Sequence, residues 1–529
     1  MPLPTTDAPW PPEELAAVTP RLAEWDAWYV GTPERLEAVY GRGVTDSRDR
    51  WDRPRPSGPL GRLWTRMWWG RQATSSSHRG DHLHIPVAAD LARVSADLMY
   101  SEPPTIVATT GSVQTQERLD EYVEHGLHDA LASGAEVGAA LGGRYHRVTW
   151  DPARGTGRSF VTTVDADAAW PEFEWGTLKA VTFWRVVRTS GQQVWRHLER
   201  HELDSMGMGV VLHGLYEGTT ERLGHAVPLD EHPDTASYAG RVDSDGVLVA
   251  PRTPGLCVVY IPNRTPSKEW RTNPTGRHLG ESDWAGPIMG LMDATDEAYS
   301  SLWRDIRLGK GRIIVPESML DSRGPGQGAS FDLDREVYEG VRRPPLEGDT
   351  GQGLITPQQF DIRVEEHLAA VEDSVRRTIS HAGYANATLA DGTDGVMTAT
   401  EVHAREKKSF STRDRKIRKE IPAVAELLRK MLSVDAAVFG ARGLDWLDPV
   451  SVSFPDTVQD SALVMAQTVQ ALSTAQAAST ETKVRMVHPD WDEPQVAEEV
   501  SRILSEAPGP LPDPFAIGQQ PELEPSAGE

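Results

Sequence analysis

The chain has 529 residues and a formal net charge of −24 at pH 7, long enough for about two to four domains with ample core. That charge excludes a tight nucleic-acid binder, because affinity for DNA comes mainly from cations that displace counterions, yet it permits an acidic wall past which a charged polymer slides. The single cysteine, Cys257, excludes an intramolecular disulfide, so the fold needs no oxidising compartment.

No apolar run approaches the ~20 residues that span a bilayer. The opening MPLPTTDAPW lacks the basic and apolar regions of a signal peptide, so the expectation is a soluble chain, intracellular at synthesis. Residues 1–50 read as helical after Pro11, with Leu15, Leu22, Trp25, Trp28 and Tyr29 as apolar anchors. RPRPSGPLGRLWTRMWWGR (53–71) sets Trp64, Trp68 and Trp69 beside arginines. Such interleaving can stack on nucleic acid, but the ring spacing suits one helix face docking on a neighbour better. SSSHRG (75–80) reads as a loop, and HIPVAADLARVSADLMYSEPP (84–104) as a helix closed by prolines. His82 and His84 form a candidate metal pair that no nearby cysteine or third histidine completes.

Residues 120–260 have the look of an α+β body. HGLHDALASGAEVGAALGG reads as a helix, while YHRVTWD, SFVTTVDADAAWP, LKAVTFWRVVRT and QQVWRHLERHEL alternate like strands. His197 and His201 have the i, i+4 spacing of helical zinc ligands, with Glu199 and Glu202 alongside. Their order matches neither HExxH nor HxxEH. On a strand, positions four apart are ~13 Å apart, too far to share a metal. VDSDGVLV (242–249) contains Asp-x-Asp-Gly but lacks the later glycine and glutamate of a calcium loop, so it reads as a hairpin turn. Cys257, in LCVVYIP, reads as a small buried hydrophobe.

From Ile288, the residues Leu291, Met292, Thr295, Ala298, Leu302 and Ile306 make a helical stripe that stops at Gly309. A second stripe, Val364, Leu368, Val371, Val375 and Ile379, ends before Gly383. Short strands and turns are expected between them. GYANATLADGTDG (383–395) then makes a pliable loop, and a third helical segment starts at Thr398. No GxxxxGK[ST] occurs, so a P-loop ATPase is unsupported. REKKSFSTRDRKIRK (405–419) is the densest basic stretch, read as a solvated or salt-bridged helix face, with a basic belt near a channel as the alternative. PAVAELLRKMLSVDAAVF (422–439) reads as an amphipathic helix, VSVSFPDTV (450–458) as a strand, and SALVMAQTVQALSTAQAAS (461–479) as an apolar helix suited to packing on its copies. The proline-rich, acidic tail 508–529 should be disordered.

Two helices bracketing a β-rich insertion, followed by a glycine-rich loop and a long helix, resemble the stem, clip, stem and tunnel loop of tailed-bacteriophage portal proteins. GLMDATDEAYSSLWRDIRLGKGRIIVPESML (290–320) resembles a first stem helix entering the clip. RVEEHLAAVEDSVRRTISHAGY (363–384) and TATEVHAREKKSFSTRDRK (398–416) resemble the second stem helix and the helix below the wing. VHPDWDEPQVAEEVSRI (487–503) is similar to the crown, and HIPVAADLARVSADLMYSEPP with LYEGTTERLG (215–224) to wing elements of actinobacterial siphophage portals. The specificity lies in the order of segments rather than in one motif.

The resemblance implies an α+β portal fold. Its parts would be a wing (1–284), first stem helix (285–308), clip (309–360), second stem helix (361–382), tunnel loop (383–397), long basic helix and return to the wing (398–458), crown (459–507) and tail (508–529). It implies a non-enzymatic ring of twelve subunits at one capsid vertex, without cofactor or membrane partner. Double-stranded DNA would pass through it without sequence specificity. Terminase, head–tail adaptors and the major capsid protein would be its partners, in the virion and, during assembly, in the host cytoplasm. As in portals, the first stem helix would line the channel with Asp293, Asp296, Glu297, Ser300, Arg304 and Arg307. Leu291, Thr295, Ala298 and Leu302 would face a neighbouring subunit. Asn386, Thr388, Asp391, Thr393 and Asp394 would lie on the tunnel loop. The rivals are another virion structural protein, such as a capsid or tail-tube subunit, and a metal-dependent hydrolase using His197 and His201.

Overall fold

Glycines at positive φ and prolines punctuate the chain of the computed structural model, which describes residues 3–4, 7–40, 82–243, 253–308, 312–314, 321–322, 329–330, 356–358, 362–386, 399–455, 462–475, 477–488, 491 and 493–506. The chain divides into two units, Met1–Thr393 with Arg405–Pro455 and Asp394–Ala404 with Asp456–Glu529. The tryptophan-rich stretch 53–71, the loop 75–80, most of 242–249 and the tail 508–529 fall outside the described residues.

The first unit opens with α1 (Thr19–Val30) and α2 (Pro33–Tyr40), divided by Gly31 at φ 66°. Of the anchors expected there, Leu15, Leu22, Trp25 and Trp28 are buried and Tyr29 half-buried, and the Trp28 indole donates to the Tyr40 hydroxyl at 2.7 Å. Next come α3 (Val87–Tyr100), β1 (Thr105–Ala108), α4 (Val113–Glu124) and α5 (Leu127–Leu141). Strands β2 (Gly143–Thr149), β3 (Phe160–Asp165), β4 (Ala169–Glu174), β5 (Thr177–Ser190), β6 (Gln193–Leu203), β7 (Met208–Gly218) and β8 (His225–Val227) follow, β2 antiparallel to β3, and β4 to β8 each antiparallel to the next. After α6 (Pro233–Ala239) come β9 (Thr253–Pro254) and β10 (Val258–Pro262). One sheet has the order β4-β5-β6-β7-β8 with β9 on β7, and a second the order β10-β2-β3.

β6 departs from the half-wet strand that its alternation suggests. Both its faces are covered, so Arg196, His197, Glu199, Arg200 and His201 are all buried. Ion pairs make this tolerable, since a buried charge without a partner is costly. Arg200 meets Glu172 at 2.6 Å and Glu202 at 2.8 Å, while Arg147 meets Glu199.

The helix carrying the first stripe is α7 (Pro287–Leu308). Beyond it β11 (Arg312–Ile314) pairs with β14 (Thr356–Gln358), and β12 (Asp321–Ser322) with β13 (Ala329–Ser330), both antiparallel. α8 (Val364–Ala382) carries the second stripe and closes on Gly383 at φ 103°, whose N–H reaches the Ile379 carbonyl. α9 (Ala399–Val438) is one helix of 40 residues where two were expected, running through Pro422. Proline removes the hydrogen bond to residue i−4. Arg418 and Pro422 are both exposed, so the break in the hydrogen-bond ladder falls on the outer side of the helix. β15 (Val450–Ser453) returns to pair with β1, Thr105 opposite Ser453.

Two large apolar clusters, with two smaller ones around Tyr145 and Leu198, hold this unit. One joins α1, α2, α3 and α5 to the roots of α7 and α8, through Trp25, Trp28, Trp284, Met289, Met292, Ile379 and Tyr384. The other wraps the second half of α9, with Val424, Leu427, Leu428 and Met431 against Leu119, Leu131 and Val452. Each such side chain contributes roughly 1.5–3 kcal/mol on burial. In the second unit α11 (Thr480–Val487) packs on α10 (Ala462–Thr474) and α12 (Glu493–Glu506), burying Val484 and Val496.

Candidate channel stem and its seat

α7 and α8 lie side by side. Their shared apolar line is what an amphipathic stripe must find, since a helix face left wet gains nothing. Met292, Leu302, Val371 and Ile379 are buried along it. Thr295 is buried too, its hydroxyl donating to its own helix at the Leu291 carbonyl (2.8 Å). Further out, His367 Nε2 meets Asp305 Oδ2 at 3.1 Å across the two helices. Of the four residues expected to face a neighbouring subunit, Thr295 and Leu302 are therefore inside the protomer. Leu291 and Ala298 are half-buried.

The polar side of α7, expected to line a channel, is not an uninterrupted open surface within the protomer. The segment 82–86 lies across it. Asp296 Oδ2 meets His84 Nδ1 at 2.7 Å, and its Oδ1 accepts from the Ile85 N–H at 2.9 Å. Ser300 Oγ accepts from the Leu83 N–H at 2.9 Å. Asp293, Asp296 and Ser300 are buried, whereas Glu297 is half-buried and Arg304 exposed. Arg307 lies on α7, its side chain outside the described residues. Residue spacing alone cannot see a strap contributed from about two hundred residues away, which is why Asp296 and Ser300, expected on the open face, lie beneath it. The same strap commits His84 to Asp296, and His82 Nδ1 lies 3.6 Å from Glu37.

The root of the helical pair is a buried polar cluster around Asp283. Asp283 is fully buried, just before α7. Its Oδ2 accepts from Lys416 Nζ (2.7 Å) and from the Tyr384 hydroxyl (2.6 Å), and its Oδ1 from Asn263 Nδ2 (2.9 Å). Lys416 also donates to Ser95 Oγ at 2.6 Å. Burial would raise the Asp283 pKa, but the Lys416 charge and these donors hold it below the ordinary carboxylate value. Burial lowers that of Lys416, with Asp283 opposing. One ion pair thus joins the entry to α7, the exit of α8, α3 and α9. Close backbone approach helps seat it: a Cβ on Gly280 would lie 2.1 Å from the Gly142 carbonyl oxygen, so only glycine fits there.

Half of the basic residues of 405–419 are tied into the body around this seat, rather than forming a solvated face. Lys408 donates to the Ser380 carbonyl and, at 2.8 Å, to its hydroxyl. Thr412 Oγ1 donates to the Gly383 carbonyl (2.6 Å), and Arg413 to the carbonyls of Leu98 (2.6 Å) and Pro455. Lys419 donates to the Asn263 carbonyl at 2.8 Å, and burial followed by the Lys416 charge pushes it down to about 8. Glu420, one turn past Lys416, meets the buried Arg144 at 2.6 Å. Lys430 donates to the carbonyls of Thr253, Pro254 and Gly255 at 2.9, 2.8 and 2.6 Å. Lys407, Arg415 and Arg418 remain exposed. Sequence reasoning missed Asp283, Tyr384 and Glu420 altogether. The available signal was polar residues at 409, 412, 416 and 420, continuing the helical phase of the apolar 424, 427, 428 and 431.

Of the loop residues, Asn386 is half-buried, just past Ala385, whose N–H donates to Ser409 Oγ at 2.8 Å. Thr388, Asp391, Thr393 and Asp394 lie outside the described residues. The histidines of β6 go to separate partners: His197 Nε2 to His213 Nδ1 (3.1 Å) and His201 Nε2 to Glu199 (2.8 Å). Burial pushes His197 down to about 3 and His213 to about 4. Among the described residues no group of three or more His, Cys, Asp or Glu is placed to hold a metal ion. Nor is any helix among them long and apolar enough to cross a membrane.

The site is thus a helical pair rooted in an α+β body, with short strand pairs between its two helices. The chain belongs to the phage portal protein family, SPP1 Gp6-like, which it matches over residues 76–508. A solved structure described as the neck of an empty GTA particle, computed with C6 symmetry, aligns with 76% of this chain and 90% of that one. At 13% identity and a TM-score of 0.38 that likeness carries no argument. No curated protein matches the chain. It is thus a portal protein, a structural component of a phage particle. Its similarity to actinobacterial siphophage portals in particular is an expectation from the sequence only.

Proposed function

We propose that the chain assembles into a closed ring, twelve copies in the particle, at one vertex of the capsid, and that this ring is the channel for DNA packaging and ejection. The observation that carries the reading is the α7–α8 pair. It is fixed at its root by a buried ion pair, yet Trp303, Val364 and Leu368 are left exposed along it. Apolar side chains on a rigidly held helical pair are what a neighbouring copy would cover, alongside Leu291 and Ala298. Glu297, Arg304 and Arg307 are then the α7 residues proposed to face DNA, which passes without sequence specificity. The loop bearing Asn386, Thr388, Asp391, Thr393 and Asp394 projects into the channel. Residues 309–360 dock terminase during packaging and head–tail adaptors afterwards, and the body meets the major capsid protein. Assembly takes place in the host cytoplasm, and no catalytic step is assigned to the chain. Electron microscopy of the purified protein tests this. Closed rings with a central hole are expected, and only monomers or open filaments at high concentration would count against it.

A further inference from the structure

The turn between β4 and β5 breaks a local rule. A two-residue hairpin turn with both central residues at positive φ favours Asn-Gly or Gly-Gly, because a bulky side chain there crowds its own backbone. Here the pair is Trp175 and Gly176, at φ 54° and 86°. Trp175 is 97% exposed, so packing within the protomer does not offset that strain. Strain retained without local compensation points to a contact made elsewhere.

The β6–β7 turn lies at the same end of the sheet, as the register Val181 opposite His201 and Leu203 opposite Gly209 requires. On it Met206 is 70% exposed. The surrounding charges lean negative: Glu172, Glu174, Glu202 and Asp204 against Lys179 and Arg200. The far end of β5 has the opposite character. Val186 is 56% exposed, and Arg185 and Arg188 are exposed beside it. Arg188 lies over the Trp195 ring, 5.0 Å from its centroid. From Val186 to Trp195 the chain carries no acidic residue. Glu217 lies two strands over from Arg188, opposite Trp195 on β7.

We infer that these two ends are the two halves of one contact between copies of this chain, Trp175 and Met206 of one protomer seating on Val186 and Arg188 of the next. Charge complementarity selects a second copy as the occupant, since one end carries an excess of carboxylates and the other an excess of arginines. A contact between two different patches repeats from copy to copy, and closes into a ring where its rotation divides a full turn evenly, as the ring reading requires. An exposed tryptophan meeting an arginine and an aliphatic side chain is the kind of anchor that dominates such interfaces. The inference rests on the ring reading and names the surface of the body that would hold the ring together.

Two experiments on the full chain test it. Trp175→Asn suits the turn, so below the assembly concentration the variant protomer should melt higher than the wild type. Its half-assembly concentration should nevertheless rise about tenfold or more. Second, copies carrying Trp175→Cys are mixed with copies carrying Val186→Cys and treated with a short bis-maleimide, the natural Cys257 being buried. Cross-linked pairs are expected in the mixture and not in either variant alone. Rings forming from Trp175→Asn at the wild-type concentration, with no cross-link in mixed rings, would overturn the inference and leave the ring reading standing. A wild-type chain that stays monomeric throughout would overturn both.

Discussion

Removing the charge of Asp283 tests the seat of the helical pair directly. In Asp283→Asn the shape is kept, but Lys416, 5% exposed, loses its counter-ion. Removing one partner of a buried ion pair typically costs 3–5 kcal/mol, because the remaining charge is stranded in a poor solvent. Here Ser95 Oγ, at 2.6 Å from Lys416, still accepts a hydrogen bond, so the lower end, about 3 kcal/mol, is expected. The pairing also works in reverse. Replacing both residues by apolar ones of similar size, Asp283→Leu with Lys416→Met, removes both desolvation costs and should leave a smaller deficit than the single change. The Tyr384 hydroxyl and Asn263 amide would lose an acceptor in that double variant, so it should not fully recover. The assay is a thermal midpoint for wild type, both singles and the double, with amide exchange followed at the end of α8. A loss of several degrees is expected for Asp283→Asn, with faster exchange near Tyr384. A single variant within about 1 kcal/mol of wild type, or a double worse than the sum of its singles, would refute the claim that this pair is an energetic anchor.

Acid should weaken the sheet before it weakens the seat. His197 and His213, held at about 3 and about 4 by burial, bind protons near pH 6.5 once unfolded. Stability is therefore full above about pH 6.5 and falls towards pH 4, by up to about 1.4 kcal/mol per pH unit for each histidine. Asp283, shifted below its ordinary value, loses its contribution only at lower pH still. The melting midpoint between pH 7 and pH 5 should fall less in His213→Phe than in wild type, and an equal slope would rule the pair out as the cause. Ala298→Pro should cost ~3 kcal/mol or more per subunit by breaking α7 in mid-course, abolishing particle yield while the body stays folded. Normal yield would contradict a continuous helix. Arg304→Glu with Arg307→Glu separates helix-dipole complementarity, worth ~0.3–1 kcal/mol per charge, from contact with DNA. Contact predicts a normal number of rings with less packaged DNA per ring, and unchanged packaging per ring would leave only the dipole.

The sequence by itself determined the elements whose causes are local. The stripe from Ile288 to Ile306, the stop at Gly383 and the alternation of 177–203 are written in residue spacing. The order of those segments was enough to identify the family. What it could not determine was which polar residues face inward. Asp296 and Ser300 read as the outer face of a helix, and they are buried only because Leu83, His84 and Ile85 cross that face. Lys416 and Glu420 read as part of a basic, solvated run, and they are core residues because Asp283 and Arg144 are waiting opposite. A charge is stable inside a protein only beside its partner. These partners lie 133 and 276 residues away in the chain, so no window of sequence contains both, and tertiary structure alone decides the pairing.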